Sequence, residues 1–183
     1  MLLNQIENDL ILWNRFREGD TASFVKIFKI YYSQLFNYGS KICEDITLVE
    51  DSIQELFIDL WRTKGKAEIL SLQSYLFKAF KFKLIKALTK ASKITSFSSQ
   101  LPAYEFEISH ELFIISNDEN KELSQKVFNA MKELSPRQKE VIYLKFNQNL
   151  NYEEVSEIMH INYQAARNLV YTSIKVLKKL IVV

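Results

Sequence analysis

Residues 151–179 read NYEEVSEIMHINYQAARNLVYTSIKVLKK. Asn151 followed by Glu154 has capping-box spacing, and Asn162 supplies a second amino-terminal cap. The stretch therefore divides into a helix over roughly 152–159, a turn at His160-Ile161, and a second helix over roughly 163–179. Ile161, Ala166, Leu169, Val170, Ile174 and Leu177 recur at spacings that let the second helix pack by one side. A short helix joined so closely to a longer one is the pattern of a helix-turn-helix. Tight helix pairs also build purely structural bundles, and spacing alone does not separate the two. Gln164, Arg167, Asn168 and Tyr171 weigh toward nucleic acid. On the first turns of a helix lying in a major groove, such groups reach base edges and phosphates.

Upstream of this pair, Ser135-Pro136-Arg137-Gln138 offers a capping serine, a proline at the first helical position and a capping-box glutamine. Before it, Asn117 or Asp118 starts a helix carrying Leu123, Val127, Met131 and Leu134. Residues 118–183 thus read as one small helical domain. Residues 94–117, ITSFSSQLPAYEFEISHELFIISN, hold serines, Pro102 and three glutamates (Glu105, Glu107, Glu111) without a lasting helical period. They read as a flexible linker in preference to a short β segment, because an isolated hairpin is marginal. Residues 1–93 form a first helical domain. In it Asp20 caps a helix carrying Phe24, Ile27, Phe28, Tyr31 and Leu35, and Thr47 with Glu50 makes a capping box that opens the run to Trp61.

Composition supports the same class. Three glycines and two prolines in 183 residues are few punctuators, which favours long helices. The expected fold is all-α: two small helical domains joined by a linker. A single cysteine, Cys43, excludes an internal disulfide. The start MLLNQIENDLILW carries Glu7 and Asp9 where a signal peptide needs basic then apolar residues, and no uncharged apolar run approaches the ~20 residues that span a bilayer. A cytoplasmic protein without membrane insertion is expected. His110, His160 and Cys43 are too far apart in sequence for metal-ligand spacing, and the scattered glycines build no phosphate-cradling loop. Neither an enzyme nor a cofactor is expected.

The net charge is only +2, so attraction to a polyanion must come from segregated charge. Segregation is present. Residues 44–59, EDITLVEDSIQELFID, carry acids and no base, whereas residues 75–93, YLFKAFKFKLIKALTKASK, carry lysines and no acid. At helical spacing, Leu76, Phe77, Phe80, Leu84, Ala87, Leu88 and Ala91 share one side of the second stretch. Lys83, Lys86, Lys90 and Lys93 form an adjacent stripe with Tyr75 and Phe82. Such lysines can simply solvate a surface helix, and a membrane would need the apolar side that the small domain requires for its core. Nucleic acid is the better partner, with aromatic rings to stack on unpaired bases.

The segment Val49 to Trp61, VEDSIQELFIDLW, within Phe24 to Trp61, resembles the second conserved region of the extracytoplasmic-function sigma factors of bacterial RNA polymerase. Leu134 to Leu180 resembles their fourth. The resemblance implies a transcription initiation factor that binds core polymerase at the beta-prime clamp and beta flap, directs it to promoters and assists melting. It implies that the acidic helix docks on the clamp through Asp51, Gln54, Glu55, Phe57, Asp59, Leu60 and Trp61. It implies that Arg62 to Ser74 and then Tyr75, Lys78, Lys81, Phe82, Lys83, Lys86 and Lys90 open the minus-ten element and hold its exposed strand. The helix-turn-helix would read the duplex minus-thirty-five element through Gln164, Arg167, Asn168, Tyr171, Thr172 and Lys175, and the linker would thread the polymerase cleft. An anti-sigma factor is a further implied partner.

The sequence also departs from the family. Phe82 stands where asparagine is frequent, and Asn149 and His160 replace glycines at two turns. Ala165 and Ala166 stand where Thr and Val are frequent, and Leu169 and Thr172 where polar or basic residues are usual. The recognition helix keeps Arg167 and little other basic character before Lys175. Two accounts stay open: an unusual promoter read by this factor alone, or help from a separate DNA-bound or RNA-guided recruiter. Outside the family, a non-sigma helix-turn-helix regulator and a helical adaptor remain alternatives.

Overall fold

The computed structural model describes residues 2–64, 66, 68–91, 104–108 and 121–181, with side chains from residue 8 onward and without that of residue 121. The helix start expected at Asn117 or Asp118, most of the expected linker, and Lys93 lie outside these residues. Every regular element described is helical, as expected for an all-α chain. The chain divides into two compact units, Met1–Ala103 and Tyr104–Val183.

Unit 1 holds α1 (Leu2–Arg17), α2 (Thr21–Gly39), α3 (Ile46–Thr63) and α4 (Leu72–Ala91). Asp20 caps α2 as expected, its carboxylate accepting from the Ala22 amide at 3.0 Å. The cap of α3 falls two residues earlier than expected. Asp45, not Thr47, accepts from the Leu48 amide at 3.1 Å. A carboxylate is a stronger cap acceptor than a hydroxyl, so the helix begins at Ile46 and Thr47 falls inside its first turn. Glu50, freed from the expected box, instead accepts from the Tyr32 hydroxyl. Helix α1 carried no clear cap in the sequence. It is held by Trp13 and Phe16, each 1% exposed and packed on Tyr75, Phe24 and Trp61.

On α4 the expected apolar side is buried over its first turns, with Leu76, Phe77, Phe80 and Leu84 fully covered; Ala87 and Leu88 are half-buried and Ala91 is exposed. The buried arc is wider than the apolar pattern suggests, because α4 packs on α1, α2 and α3 together. It also takes in Ile85 and Lys81. At the centre Gly39 lets α2 approach closely, and Tyr38 meets Phe77 at 5.1 Å between ring centroids.

Unit 2 holds α5 (Lys121–Lys132), α6 (Pro136–Ile142) running into a π-helical turn (Tyr143–Asn147), α7 (Tyr152–Met159) and α8 (Tyr163–Ile181). Both expected capping boxes form: Ser135 with Gln138, with Pro136 at the helix start, and Asn151 with Glu154. Asn162 caps α8 by accepting from the Ala165 amide at 2.7 Å. The two turns that lack glycine adopt the left-handed backbone all the same, at Asn149 (φ 54°) and His160 (φ 51°). Asparagine and histidine enter that region more readily than most residues. Leu123, expected in the core of α5, is exposed; Phe128, Ala130 and Met131 take the inward positions.

The segment 104–108, expected within the linker, is part of unit 2. Phe106 is fully buried with its ring 5.7 Å from that of Tyr143, and Tyr104 donates a hydrogen bond to the buried carboxylate of Glu140. Glu107 meets Lys139 at 3.6 Å. Alternating Tyr104 and Phe106 point at the core while Glu105 and Glu107 face solvent. That short period-two pattern is too brief to have outweighed the surrounding serines and proline.

Candidate nucleic-acid interface

Helix α8 is amphipathic because its packing residues return every three to four positions. Ala166, Val170 and Ser173 are buried, with Leu169, Ile174 and Leu177 half-buried beside them. The Ser173 hydroxyl satisfies itself on the Leu169 carbonyl at 2.6 Å. The opposite face carries Gln164, Arg167, Asn168, Tyr171, Thr172 and Lys175, and every one of them is exposed. Their spacings of three, one, three, one and three residues put them on one continuous stripe. The stripe is partly ordered already. Gln164 Nε2 donates to Asn168 Oδ1 at 3.1 Å, and Thr172 Oγ1 donates to the Asn168 carbonyl at 2.9 Å. Tyr171 stands 67% exposed, an aromatic ring that no packing need explains. Exposed amides, a guanidinium and a phenol at the start of a capped helix are the groups that read base edges in a major groove.

The lysine-rich helix is more divided than its sequence implies. Lys86, Lys90 and Phe82 are exposed, and Lys78 is half-buried. Lys81 is only 2% exposed, inside the wide buried arc, and offers no surface to a phosphate. Tyr75 is half-buried with its ring 5.4 Å from Trp13. Burial raises its hydroxyl pKa above the ordinary value, and its ring is largely committed to packing.

Lys83 is committed to the acidic helix. Its ammonium lies 2.6 Å from Asp59 Oδ2 and 3.2 Å from Glu55 Oε1. The hydrogen bond from Lys83 holds the Asp59 carboxyl below its ordinary pKa. On Lys83 desolvation pulls the other way, but the bonds and charges of Asp59 and Glu55 outweigh it and raise the ammonium pKa. Helices α3 and α4 thus line an open groove with Asp51, Glu55 and Asp59 on one wall and Lys83, Lys86 and Lys90 on the other. The acidic and basic stretches face each other here, which their separation in sequence did not reveal.

Of the residues expected to dock on polymerase, Asp51, Gln54 and Glu55 are exposed, Asp59 is half-exposed, and Trp61 is 41% exposed. Phe57 and Leu60 are not on the surface. They belong to the inward stripe of Val49, Ile53, Leu56, Phe57 and Leu60, and the Phe57 ring packs 4.9 Å from that of Phe28. Their place is to hold α3 in the unit. Among the described residues no group of three or more histidine, cysteine or acidic side chains is placed to hold a metal ion, and no helix is long and apolar enough to cross a membrane.

Two aromatic residues at the helix-turn-helix were not singled out by pattern reading. Tyr152 and Tyr163 meet edge to face at 6.0 Å, and the Arg167 guanidinium lies 5.8 Å from the Tyr163 ring. Each tyrosine directly follows a capping asparagine, a signal visible in the sequence.

Residues 124–176 match the family model described as Sigma-70, region 4. No curated protein matches the chain. Among solved structures, the chain is similar to CnrH, determined in complex with the cytosolic domain of CnrY, at 16% identity and a TM-score of 0.58; the match covers 94% of this chain and 96% of that one. It is also similar to the sigma factor RpoE, determined in complex with the anti-sigma factor NepR from Bartonella quintana, at 19% identity and a TM-score of 0.60, covering 87% of this chain and 97% of that one. At these identities the likeness is one of fold.

Proposed function

We propose that this chain, whose residues 124–176 match the family model described as Sigma-70, region 4, is a transcription initiation factor that binds core RNA polymerase, directs it to promoters and assists melting. The observation that carries this reading is the exposed stripe of α8, where six side chains suited to duplex reading lie together on the helix that the family match includes. In this reading the stripe takes the minus-thirty-five element. The exposed Lys86, Lys90 and Phe82 of α4 hold the minus-ten strand, where a stacked base is worth roughly 1–3 kcal/mol. The exposed acids Asp51 and Glu55 with Gln54 and Trp61 form the docking face for the clamp, and the beta flap is met by the second unit. An anti-sigma factor is a proposed masking partner, supported by the complex in which the structural neighbour RpoE was determined.

Arg167 and Lys175 are the cations of the α8 stripe, so it makes few phosphate contacts and its binding is weak in its dependence on salt. That fits an unusual promoter read by this factor alone, which we favour over a separate DNA-bound or RNA-guided recruiter. The test is transcription in vitro from fragmented genomic DNA with core polymerase and this protein only. Sequence-specific initiation supports the first account and removes the recruiter; absence of any association with core polymerase would overturn the proposed function in favour of an adaptor or a free-standing regulator. Replacing Lys86 and Lys90 by glutamate should abolish initiation while sparing core binding.

A further inference from the structure

We propose that Tyr163 is a positioning residue for base reading: it holds the guanidinium of Arg167 in place before DNA arrives, and is itself braced by Tyr152 and Lys145. The inference rests on the reading of α8 as the recognition helix. Asn151 and Asn162 cap α7 and α8, and the residue after each is a tyrosine, so Tyr152 and Tyr163 both occupy the first position of a helix. The turn at His160, with its left-handed backbone, brings the two helix starts together, and the rings meet at 6.0 Å with planes 81° apart. Edge-to-face contact at this distance is a favoured aromatic arrangement, and it limits how Tyr163 can turn.

Both ends of the pair carry a cation. Lys145, from the π-helical turn, sits 4.7 Å from the centroid of Tyr152 and donates to the Leu150 carbonyl at 2.9 Å. Arg167, one turn beyond Tyr163, sits 5.8 Å from the centroid of Tyr163. Four side chains from three consecutive elements therefore form a row, Lys145, Tyr152, Tyr163, Arg167, that ends on the exposed stripe. An exposed arginine is otherwise free to sample many rotamers, and its planar fork reads a guanine edge only when presented in one orientation. A ring within about 6 Å of the guanidinium attracts it and narrows that sampling. Gln164 and Asn168 are already ordered by their mutual hydrogen bond, so the row extends the same preparation to the one arginine of the stripe.

The test selects randomised duplex DNA with the full-length protein bound to core polymerase, comparing wild type with Arg167→Ala, Tyr163→Leu and Tyr163→Phe. Arg167→Ala should remove a preference at one or two base pairs. Tyr163→Leu should weaken preference at those same pairs by about two- to fivefold, the factor an exposed cation–aromatic contact is worth. Preferences elsewhere and the slope of affinity against salt should be unchanged, and Tyr163→Phe, which keeps the ring, should behave as wild type. Tyr152→Leu leaves α8 untouched, should give the same pattern at smaller amplitude, and decides the matter if Tyr163→Leu does not fold. An even loss of affinity over all sequences, or an unchanged preference where Arg167→Ala removes one, overturns the positioning role alone. If Arg167→Ala alters no preference, the base-reading premise fails and the inference with it.

Discussion

Gly39 lies where α2 passes so close to its neighbours that a Cβ would come 2.6 Å from Phe80 Cζ and 2.8 Å from Val49 Cγ1. Both neighbours are fully buried and have no room to give. Gly39→Ala is therefore expected to lower the stability of unit 1 by about 1–3 kcal/mol, measured by thermal or denaturant unfolding. In unit 2, burial pushes the Tyr143 hydroxyl from its ordinary 10 up to about 12, although the hydrogen bond from Gln148 opposes the shift. A raised folded pKa means that the folded state holds its proton longer. The stabilisation is complete below pH 10 and is lost as the pH rises toward about 12, by about 2–3 kcal/mol. Unfolding across that range should show a smaller alkaline loss in Tyr143→Phe than in wild type. Neither residue was legible as special. A glycine declares close approach only when the helix it meets is known, and a tyrosine declares its burial only when its neighbours are.

The caps are the most legible elements. Asn151 Oδ1 accepts from the Glu154 backbone N–H at 2.9 Å while the Glu154 carboxylate accepts from the Asn151 backbone N–H at 2.8 Å, as the three-residue spacing implied. Asn151→Ala should cost about 1 kcal/mol in the unfolding of unit 2, because the Glu154 backbone amide loses its acceptor. At the other end of an element, Lys64 closes α3 with a left-handed backbone, φ 46°. Lys64→Gly removes the Cβ penalty there and should raise stability by about 1 kcal/mol, read in the same melts. Where element reading fell short, competition between neighbours was the cause. Asp45 displaced Thr47 as a cap, and three packing partners rather than one widened the buried side of α4 until it enclosed Lys81. The periodicity of one helix does not encode how many helices will surround it.

Across the whole chain, the division into two helical units is the level at which sequence and structure agree on class but differ on limits. The described segment 104–108 packs into the second unit, and Phe106→Ala in the full chain should cost about 3–5 kcal/mol by emptying a fully buried aromatic site. Hydrogen exchange should place the loss in residues 104–183 and leave unit 1 protected; equal loss in both would contradict the packing. Helix identity in the second unit, the capping boxes at Ser135 and Asn151 and the polar run along one side of α8 follow from contacts within a few residues, and the pattern of side chains along the chain was sufficient for them. The burial of Lys81, Phe57 and Leu60, the pairing of Lys83 with Asp59 and Glu55, the seat of Phe106 and the meeting of Tyr152 with Tyr163 depend on elements brought together by folding. Charge and hydrophobicity are properties of a residue, whereas exposure and partnership belong to the space around it, and that space exists only once the helices have packed.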